Sequence, residues 1–153
     1  MRLLGLTVTA YQNLHGADWF MPAAYFEKRG FKRVDARGPQ VLLWKPFSEQ
    51  AAPPRFLQPD YTFAPIEGAV VVDLFWTGLC QTSSIEAERV RDVCAGFGEV
   101  VRLNEYCAEN RDAFLCHQIP RAIFVNGAEI GWGYEAPKDG IRNAIERALE
   151  DLS

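Results

Sequence analysis

One apolar run near the middle of the chain constrains the fold more than any other feature of the sequence. Residues 69–76, AVVVDLFW, are almost continuously apolar, a pattern typical of a strand that is buried on both faces of a sheet. A single cysteine, Cys80, follows where the next helical segment should begin, and a second apolar run starts after Ile119-Pro120-Arg121. The sequence therefore predicts a buried strand that carries a thiol at its junction with a helix.

A proline-rich segment, residues 47–67, divides the chain into two parts. Five prolines lie in or beside it, namely Pro46, Pro53, Pro54, Pro59 and Pro65. Prolines at this density exclude helix and interior strand, so we predict an extended, semi-rigid linker between residues 1–46 and residues 68–153. Because this linker also carries several aromatic residues, we expect it to pack along the surface of a domain.

The second part, residues 68–153, shows the periodicity of an α/β domain. Apolar residues recur at helical spacing after the buried strand, and Ser83 and Glu86 have the spacing of a capping box near the start of that helix. Gly96 and Gly98 are expected to end it. These signals predict a first β-α unit with Cys80 at its turn.

The remainder of this part predicts a strand, a short helix, a two-stranded hairpin and a final helix. Residues 99–104 predict a strand and residues 108–117 a short helix. Asn126-Gly127 between two apolar runs predicts a two-residue type I′ turn, and the last helix should start at Pro137. The expected apolar stripe of that helix is Ile141, Ala144, Ile145, Ala148, Leu149 and Leu152. The predicted order is β-α-β-α-β-β-α.

The first part, residues 1–46, predicts a β-α-β-β unit. Strands are expected at residues 4–10, 31–35 and 41–44, and a helix at residues 20–29. Pro22 suits the first turn of this helix, and Gly30 followed by Phe31 suits a Schellman ending. A unit of about 45 residues is near the size below which a chain rarely folds alone, so it must lean on the second part, on another copy or on further residues.

Composition and charge exclude several classes of partner. The net charge is −4 and no basic run occurs, which argues against nucleic acid and anionic membranes. The apolar runs are too short to cross a bilayer, and the first residues lack the h-region and cleavage site of a signal peptide. We therefore expect a cytoplasmic protein with reduced thiols. The four cysteines and two histidines have no metal-ligand spacing, so no metal site is predicted.

The hexapeptide FWTGLC that ends at Cys80 resembles the strand-to-helix stretch of thioredoxins, and the element order of residues 68–153 is similar to that of thioredoxin-like domains. By this resemblance Cys80 is the nucleophile and Ser83 replaces the resolving cysteine. Such a site forms mixed disulfides but closes no disulfide between its own two positions. The acid that thioredoxins bury beneath the site falls at Leu74, whereas Asp73 points to the opposite face of the strand.

The same resemblance implies a binding role for Ile119, Pro120 and Arg121. In thioredoxin-like domains a cis-proline faces the thiol, and its backbone pairs with an extended peptide or a partner chain. With Ser83, these three residues are the candidate binding residues of the site.

Position at a helix start also predicts the chemistry of Cys80 directly. Free N–H groups and the helix dipole stabilise a thiolate there, so we expect the pKa of Cys80 to be lowered. The alternative is a packing cysteine that a degenerate fold has retained. Cys116 is either a substitute resolving thiol or a buried helix residue, Cys107 is a candidate lining residue of a nearby loop, and Cys94 belongs to the core.

The first part carries a second resemblance. Residues 21–35, MPAAYFEKRGFKRVD, resemble the end of a GNAT-family N-acetyltransferase, in which a short helix finishes in a Tyr-x-Lys-x-Gly-Phe type motif before the last two strands. Together with PRAIFVNGAEIGWGYEAPKDG at residues 120–140, the chain resembles acetyltransferases with a YoaP-like C-terminal domain. The resemblance implies an α/β chain with a partial GNAT-like segment at 1–46 and a thioredoxin-like domain at 68–153. It also implies acetyl-CoA as cofactor and an amine as acceptor.

The chain departs from the acetyltransferase pattern in two places. It has no Arg/Gln-x-x-Gly-x-Gly/Ala loop for the pyrophosphate of acetyl-CoA, so no cofactor-binding residue is assigned. The position of the tyrosine that protonates the CoA thiolate is Phe26. The neighbouring Tyr25, turned by about 100° around the helix, is the remaining candidate acid. We expect this chain alone to be incomplete or inactive as an acetyltransferase, with Met1 an internal start, a truncated gene model or the start of a remnant.

Three functions stay open at the level of sequence. The first is acetyl transfer from acetyl-CoA to an amine. The second is thiol chemistry at Cys80, either mixed-disulfide exchange or sensing. The third is a non-catalytic binding module, including a homodimer formed through an exposed sheet edge of the N-terminal segment.

Overall fold

The computed structural model describes residues 4–12, 21–131 and 136–152. Over these residues it is a mixed α/β protein with two sheets and four α-helices, which confirms the predicted class. The chain separates into two compact units, Met1–Leu57 and Gln58–Ser153. No described helix has the length and apolar character needed to cross a bilayer.

The first unit contains a three-stranded antiparallel sheet and one short helix. Its elements are β1 (Gly5–Tyr11), α1 (Ala23–Glu27), β2 (Lys32–Arg37) and β3 (Gln40–Pro46). The strand order is β1-β3-β2, so the last strand lies between the other two. Its small core is formed by Ala10, Ala23, Val41 and Leu43, all buried.

The end of α1 shows how local sequence stops a helix. Gly30 has a φ of 84°, a left-handed conformation that glycine adopts without strain. Its N–H donates to the carbonyl of Glu27 at 3.0 Å and the N–H of Phe31 donates to the carbonyl of Phe26 at 3.2 Å. The rings of Phe26 and Phe31 then meet edge to face, with centroids 5.7 Å apart. The predicted Schellman ending is therefore confirmed. Helix α1 begins directly after Pro22, and the part of the predicted helix before residue 21 lies outside the described residues.

The second unit is built on a four-stranded mixed sheet. Its elements are β4 (Val70–Trp76), α2 (Gln81–Ala95), a 3-10 turn (Gly98–Val100), β5 (Val101–Cys107), α3 (Arg111–His117), β6 (Ala122–Val125), β7 (Ala128–Ile130) and α4 (Lys138–Glu150). The strand order is β5-β4-β6-β7, with β4 parallel to β5 and antiparallel to β6. All residues of β4 except Trp76 are buried, which confirms the strand predicted from the apolar run.

Alternating side chains of β4 serve two different cores. Leu74 belongs to the main core, together with the buried faces of α2 and α4. Phe75 points to the opposite face, where it packs with Ile119 and Ala122. Asp73 shares that second face and is only 4% exposed. The predicted placement of Leu74 and Asp73 on opposite faces is therefore confirmed.

Part of the proline-rich segment packs on the second unit. Residues 58–65 form no helix or strand, but the ring of Tyr61 stacks on Phe124 with centroids 3.9 Å apart. The hydroxyl of Tyr61 donates to the carboxylate of Asp73 at 2.7 Å, and Asn104 Nδ2 donates to the same carboxylate at 2.8 Å. The expected packing of linker aromatics along a domain surface is thus confirmed at Tyr61.

The hairpin agrees with the sequence, whereas the last helix differs from the prediction at both ends. Asn126 and Gly127 have φ values of 45° and 82°, as a type I′ turn requires, and β6 and β7 pair on either side of them. Helix α4 begins just after Pro137 rather than at it. Leu152 lies beyond the end of α4 and is 47% exposed, so its predicted place on the apolar stripe is wrong.

The capping box predicted at Ser83 and Glu86 is also wrong. Helix α2 is capped by Cys80, so Ser83 already lies inside its first turn. Both Ser83 and Glu86 are buried, and the Ser83 hydroxyl accepts a hydrogen bond from the Thr77 N–H at 3.0 Å. The spacing of a capping box is present, but the buried Ser83 hydroxyl bonds to the turn before α2 and not to the N–H groups of the helix.

Candidate functional site

Cys80 lies at the junction between the central strand β4 and helix α2. Its backbone is extended, with φ −121° and ψ 116°, and the helix starts at the next residue, Gln81. The residue is partly exposed, and the side chain of Leu79 before it is 91% exposed. The cap position places the sulfur where a serine or aspartate oxygen usually meets the first N–H groups of a helix.

Several groups lower the pKa of the Cys80 thiol below its usual value. The largest effect comes from the backbone N–H of Ser83, and the N–H of Thr82 acts in the same direction. Arg121 adds a positive charge, with its Nη1 4.0 Å from Sγ. Partial burial acts in the opposite direction but does not cancel these effects. The N–H groups at the start of α2 therefore contribute most of the lowering, and the Arg121 charge adds a smaller part.

Ser83 contributes to the site through its backbone. Its side chain is fully buried, and its hydroxyl holds the turn before Cys80 through the Thr77 N–H. A side chain in that position has no surface to offer a partner. Its N–H, in contrast, faces the Cys80 sulfur.

The segment Ile119-Pro120-Arg121 leads into β6 and brings a charge to the thiol. Ile119 is buried in the second core, Pro120 is exposed, and the Arg121 guanidinium approaches Cys80. No peptide bond in the described ranges is cis, so the cis bond predicted before Pro120 is wrong. The trans form is the ground state of an X–Pro bond, and here the left-handed Gln118, with φ 52°, turns the chain out of α3.

A carboxylate from the loop after β5 holds the turn that precedes Cys80. Glu109 Oε1 accepts hydrogen bonds from the Thr77 hydroxyl at 2.8 Å and from the Leu79 N–H at 3.1 Å. Its other oxygen accepts from the Cys107 thiol at 2.8 Å. The Cys107 and Thr77 hydrogen bonds lower the pKa of Glu109 to about 2, so the carboxylate is ionised at neutral pH. Sequence reasoning missed Glu109, whose only signal is its place just after the strand parallel to β4.

Cys107 ends β5, and the pKa of its thiol is shifted in the opposite direction to that of Cys80. The hydrogen bond to Glu109, and then partial burial, raise the pKa of the Cys107 thiol. In the parallel register Cys107 is the Cα partner of Trp76, the last residue of β4. The structure therefore gathers a thiolate-favouring and a thiol-favouring cysteine at one end of the sheet.

The other two cysteines lie elsewhere in the second unit. Cys94 is buried in the main core, and burial raises the pKa of its thiol to about 11. Cys116 is exposed on α3, which excludes the predicted alternative of a buried helix residue. All four cysteines are free thiols.

Tyr25, the candidate acid, lies on α1 in the first unit. Its ring is half-buried, and the Arg29 guanidinium stands 3.5 Å from the ring centroid. Arg29 Nη1 also donates to the Tyr25 carbonyl at 2.9 Å. Phe26, at the position of the family tyrosine, packs against the small core instead. A role for Tyr25 as an acid stays a prediction.

Within the described part of the chain, no group of three or more His, Cys, Asp or Glu residues could hold a metal ion. Searches against protein-family models, curated proteins and solved structures found no match to this chain.

Proposed function

We propose that the second unit is a thioredoxin-like domain in which Cys80 acts as a thiolate nucleophile in mixed-disulfide exchange. One observation carries the proposal: Cys80 occupies the N-cap position of α2, and the Arg121 guanidinium nitrogen lies 4.0 Å from its sulfur. The position of this thiol at the end of the buried central strand supports it further.

The chemistry follows from the state of the sulfur. The Cys80 thiolate attacks one sulfur of a partner disulfide, forms a Cys80–S–S–R bond and releases the other sulfur as a thiolate. A lowered pKa enlarges the thiolate fraction at neutral pH by more than it reduces intrinsic nucleophilicity, because the Brønsted coefficient is about 0.4–0.5. Four free cysteines support a reducing compartment such as the cytoplasm.

Reaction with an aromatic disulfide tests this proposal. Dithiobis-nitrobenzoate releases a coloured thiolate at each exchange, so the rate can be followed against pH. We expect a fast phase whose midpoint lies below 9.0, the ordinary value for a cysteine. The fast phase should disappear in Cys80→Ser and persist in Cys116→Ser, which removes an exposed thiol on α3. A fast phase that survives in Cys80→Ser would overturn the proposal.

Arg121 offers a sharper test of the electrostatics. Replacement by Gln removes the positive charge near the sulfur and should move the midpoint of the Cys80 reaction to higher pH. Arg121→Lys keeps the charge and should move it less. Equal midpoints in all three proteins would mean that the guanidinium does not act on the thiol.

We also propose that the first unit is the terminal part of a GNAT-family N-acetyltransferase, with acetyl-CoA and an amine as substrates. The succession of α1, the Gly30 ending, β2 and β3 supports it, because the resemblance pairs this ending with two final strands. Calorimetric titration with acetyl-CoA tests it. Saturable binding near micromolar affinity, about −8 kcal/mol, would favour a surviving cofactor site. Absence of binding would remove acetyl transfer from the activities of this chain.

A further inference from the structure

We propose that Cys107 is the thiol that resolves the mixed disulfide at Cys80, and that Glu109 is its positioning residue. This inference rests on the proposed exchange chemistry of Cys80. It assigns to Cys107 the resolving role that a cysteine at position 83 would otherwise have. Ser83 cannot take this role because it has no sulfur.

The pairing of β4 with β5 brings the two cysteines to the same end of the sheet. The pairing of β4 with β5 continues to Trp76 and Cys107, the last residues of the two strands. The Ala108 N–H then donates to the Trp76 carbonyl at 2.8 Å, so the two chains stay together one residue further. Neighbouring strands lie about 4.8 Å apart. Cys80 follows Trp76 after a short turn, so both cysteines lie at the end of the sheet where β4 and β5 finish.

One carboxylate joins the two thiol segments. Glu109 accepts from the Cys107 thiol through one oxygen and from the Leu79 N–H through the other, at 2.8 and 3.1 Å. Leu79 is the residue directly before Cys80. The Cys107 sulfur is therefore two hydrogen bonds from the backbone that carries Cys80. Neither of the other cysteines has this connection, since Cys94 is buried in the main core and Cys116 is exposed on α3.

The opposite pKa shifts of the two thiols set the order of events. Cys80 attacks first as a thiolate, while the hydrogen bond to Glu109 keeps Cys107 protonated. In the second step the Cys107 sulfur bonds to Cys80 Sγ, the Cys80–S–R bond breaks, and the leaving thiolate takes the Cys107 proton. The partner disulfide is reduced to two thiols, and Cys80 and Cys107 are oxidised to a disulfide.

Closure of a Cys80–Cys107 disulfide depends on the turn between β4 and α2, because this turn carries Cys80. A disulfide forms only where the two Cα atoms approach within about 7 Å. The turn holds Gly78 and is tied to β5 through the exposed Glu109 carboxylate. The Cys107 thiol can leave the Glu109 carboxylate without breaking the hydrogen bonds that this carboxylate accepts from the turn.

Counting thiolate release from dithiobis-nitrobenzoate tests the resolving step in the full chain. Attack by Cys80 releases one coloured thiolate, and resolution by Cys107 releases a second. All proteins carry Cys116→Ser, so that the exposed thiol on α3 does not report. We expect two rapid releases in this parent protein and a Cys80–Cys107 disulfide in its peptide map. With Cys107→Ser added, we expect one release and a stable adduct on Cys80 by mass spectrometry.

The kinetics separate this inference from its premise. An intramolecular step acts at an effective concentration on the order of millimolar, roughly a thousandfold above micromolar protein, so the second release should not depend on chain concentration. Rapid second release in Cys107→Ser, or in Cys107→Ala if the serine variant folds poorly, would overturn the inference while leaving Cys80 exchange intact. Failure to form any adduct on Cys80 would overturn the exchange chemistry itself and the resolving step with it.

Glu109→Gln tests the positioning role with a readout that a purely structural role would not change. Glutamine keeps the shape and an acceptor oxygen for the turn but removes the negative charge beside Cys107. We expect the pH midpoint of the second release to fall, with a rate gain at lower pH of about threefold for each unit of pKa. An unchanged pH profile of the second release would exclude Glu109 from this step.

Discussion

Cys80 and Cys107 carry the same side chain at the same end of the sheet, yet their surroundings drive their protonation in opposite directions. N–H dipoles of α2 and the Arg121 charge face Cys80 and lower the pKa of its thiol. The Glu109 carboxylate faces Cys107 and raises the pKa of that thiol. Different neighbours therefore set the two pKa shifts: the start of α2 and Arg121 act on Cys80, and the Glu109 carboxylate acts on Cys107.

The turn glycine Gly127 illustrates two separate constraints on one residue. Its φ is 82°, and a Cβ added there would lie 2.9–3.2 Å from side-chain atoms of Phe63. We expect Gly127→Ala to lower the free energy of unfolding by more than the 1–2 kcal/mol that is roughly the cost of left-handed backbone strain. Chemical denaturation measures it.

Gly98 provides the matched control for that prediction. Its φ is 63°, and nothing lies within 4 Å of an added Cβ. Gly98→Ala therefore introduces backbone strain without overlap, at about 1–2 kcal/mol. Equal losses in the two variants would show that Phe63 moves away without cost.

At the scale of elements, the sequence predicted the strands, turns and helix ends that depend on a few neighbouring residues. The apolar run of β4, the Schellman ending at Gly30 and the Asn126-Gly127 turn each depend on a few neighbouring residues, and all are present. Strand β5 shows the limit. Residues 99–104 were expected, but the strand is Val101–Cys107, because pairing with β4 continues to Trp76 and carries Cys107 into the sheet.

The candidate site was predicted only in the part that lies along one segment. Position at a helix start predicted Cys80 and the lowered pKa of its thiol, and the resemblance pointed to Arg121. Glu109 had only its place after β5 as a signal, since its hydrogen bonds to Thr77 and Leu79 join segments that are far apart in the sequence. Contacts of this kind depend on the pairing of β4 with β5, which no local pattern around Glu109 shows.

Tyr61 ties an irregular segment to the central strand, and its removal tests that attachment. Tyr61→Phe keeps the ring stacked on Phe124 but leaves the buried Asp73 carboxylate with one donor fewer. An acceptor that loses its partner in a buried site costs about 1–3 kcal/mol of stability. Chemical denaturation at neutral pH should show a loss of this size.

The stability difference between wild type and Tyr61→Phe should depend on pH in a definite direction. Burial and Asp73 raise the pKa of Tyr61, so its contribution to stability is complete below about pH 10 and is lost as pH rises above the pKa of an unfolded tyrosine. The difference between wild type and Tyr61→Phe should therefore shrink in alkali. Tyr25→Phe, a half-buried ring in the first unit, serves as control and should change stability by less than about 0.5 kcal/mol. A larger loss in the control would make the Asp73 bond an insufficient explanation.

For the whole molecule, the two compact units assign the two proposed activities to different parts of the chain. Among the residues that the structure describes, the side chains that shift the pKa values of Cys80 and Cys107 belong to Gln58–Ser153, including Arg121 and Glu109. The residues that resemble an acetyltransferase ending belong to Met1–Leu57. The thiol chemistry should therefore be separable from any binding of acetyl-CoA.

A fragment of residues 58–153 tests this separation. It keeps the four-stranded sheet, three helices and both cores of the second unit, which is within the usual size of an independent domain. We expect the fragment to react with dithiobis-nitrobenzoate at the same pH midpoint as the full chain, because the groups that set the pKa of Cys80 are all retained. Any binding of acetyl-CoA seen with the full chain should be lost. A midpoint that moves toward the ordinary cysteine value would mean that residues 1–57 contribute to the field at the thiol, and the two units would then have to be treated as one functional site.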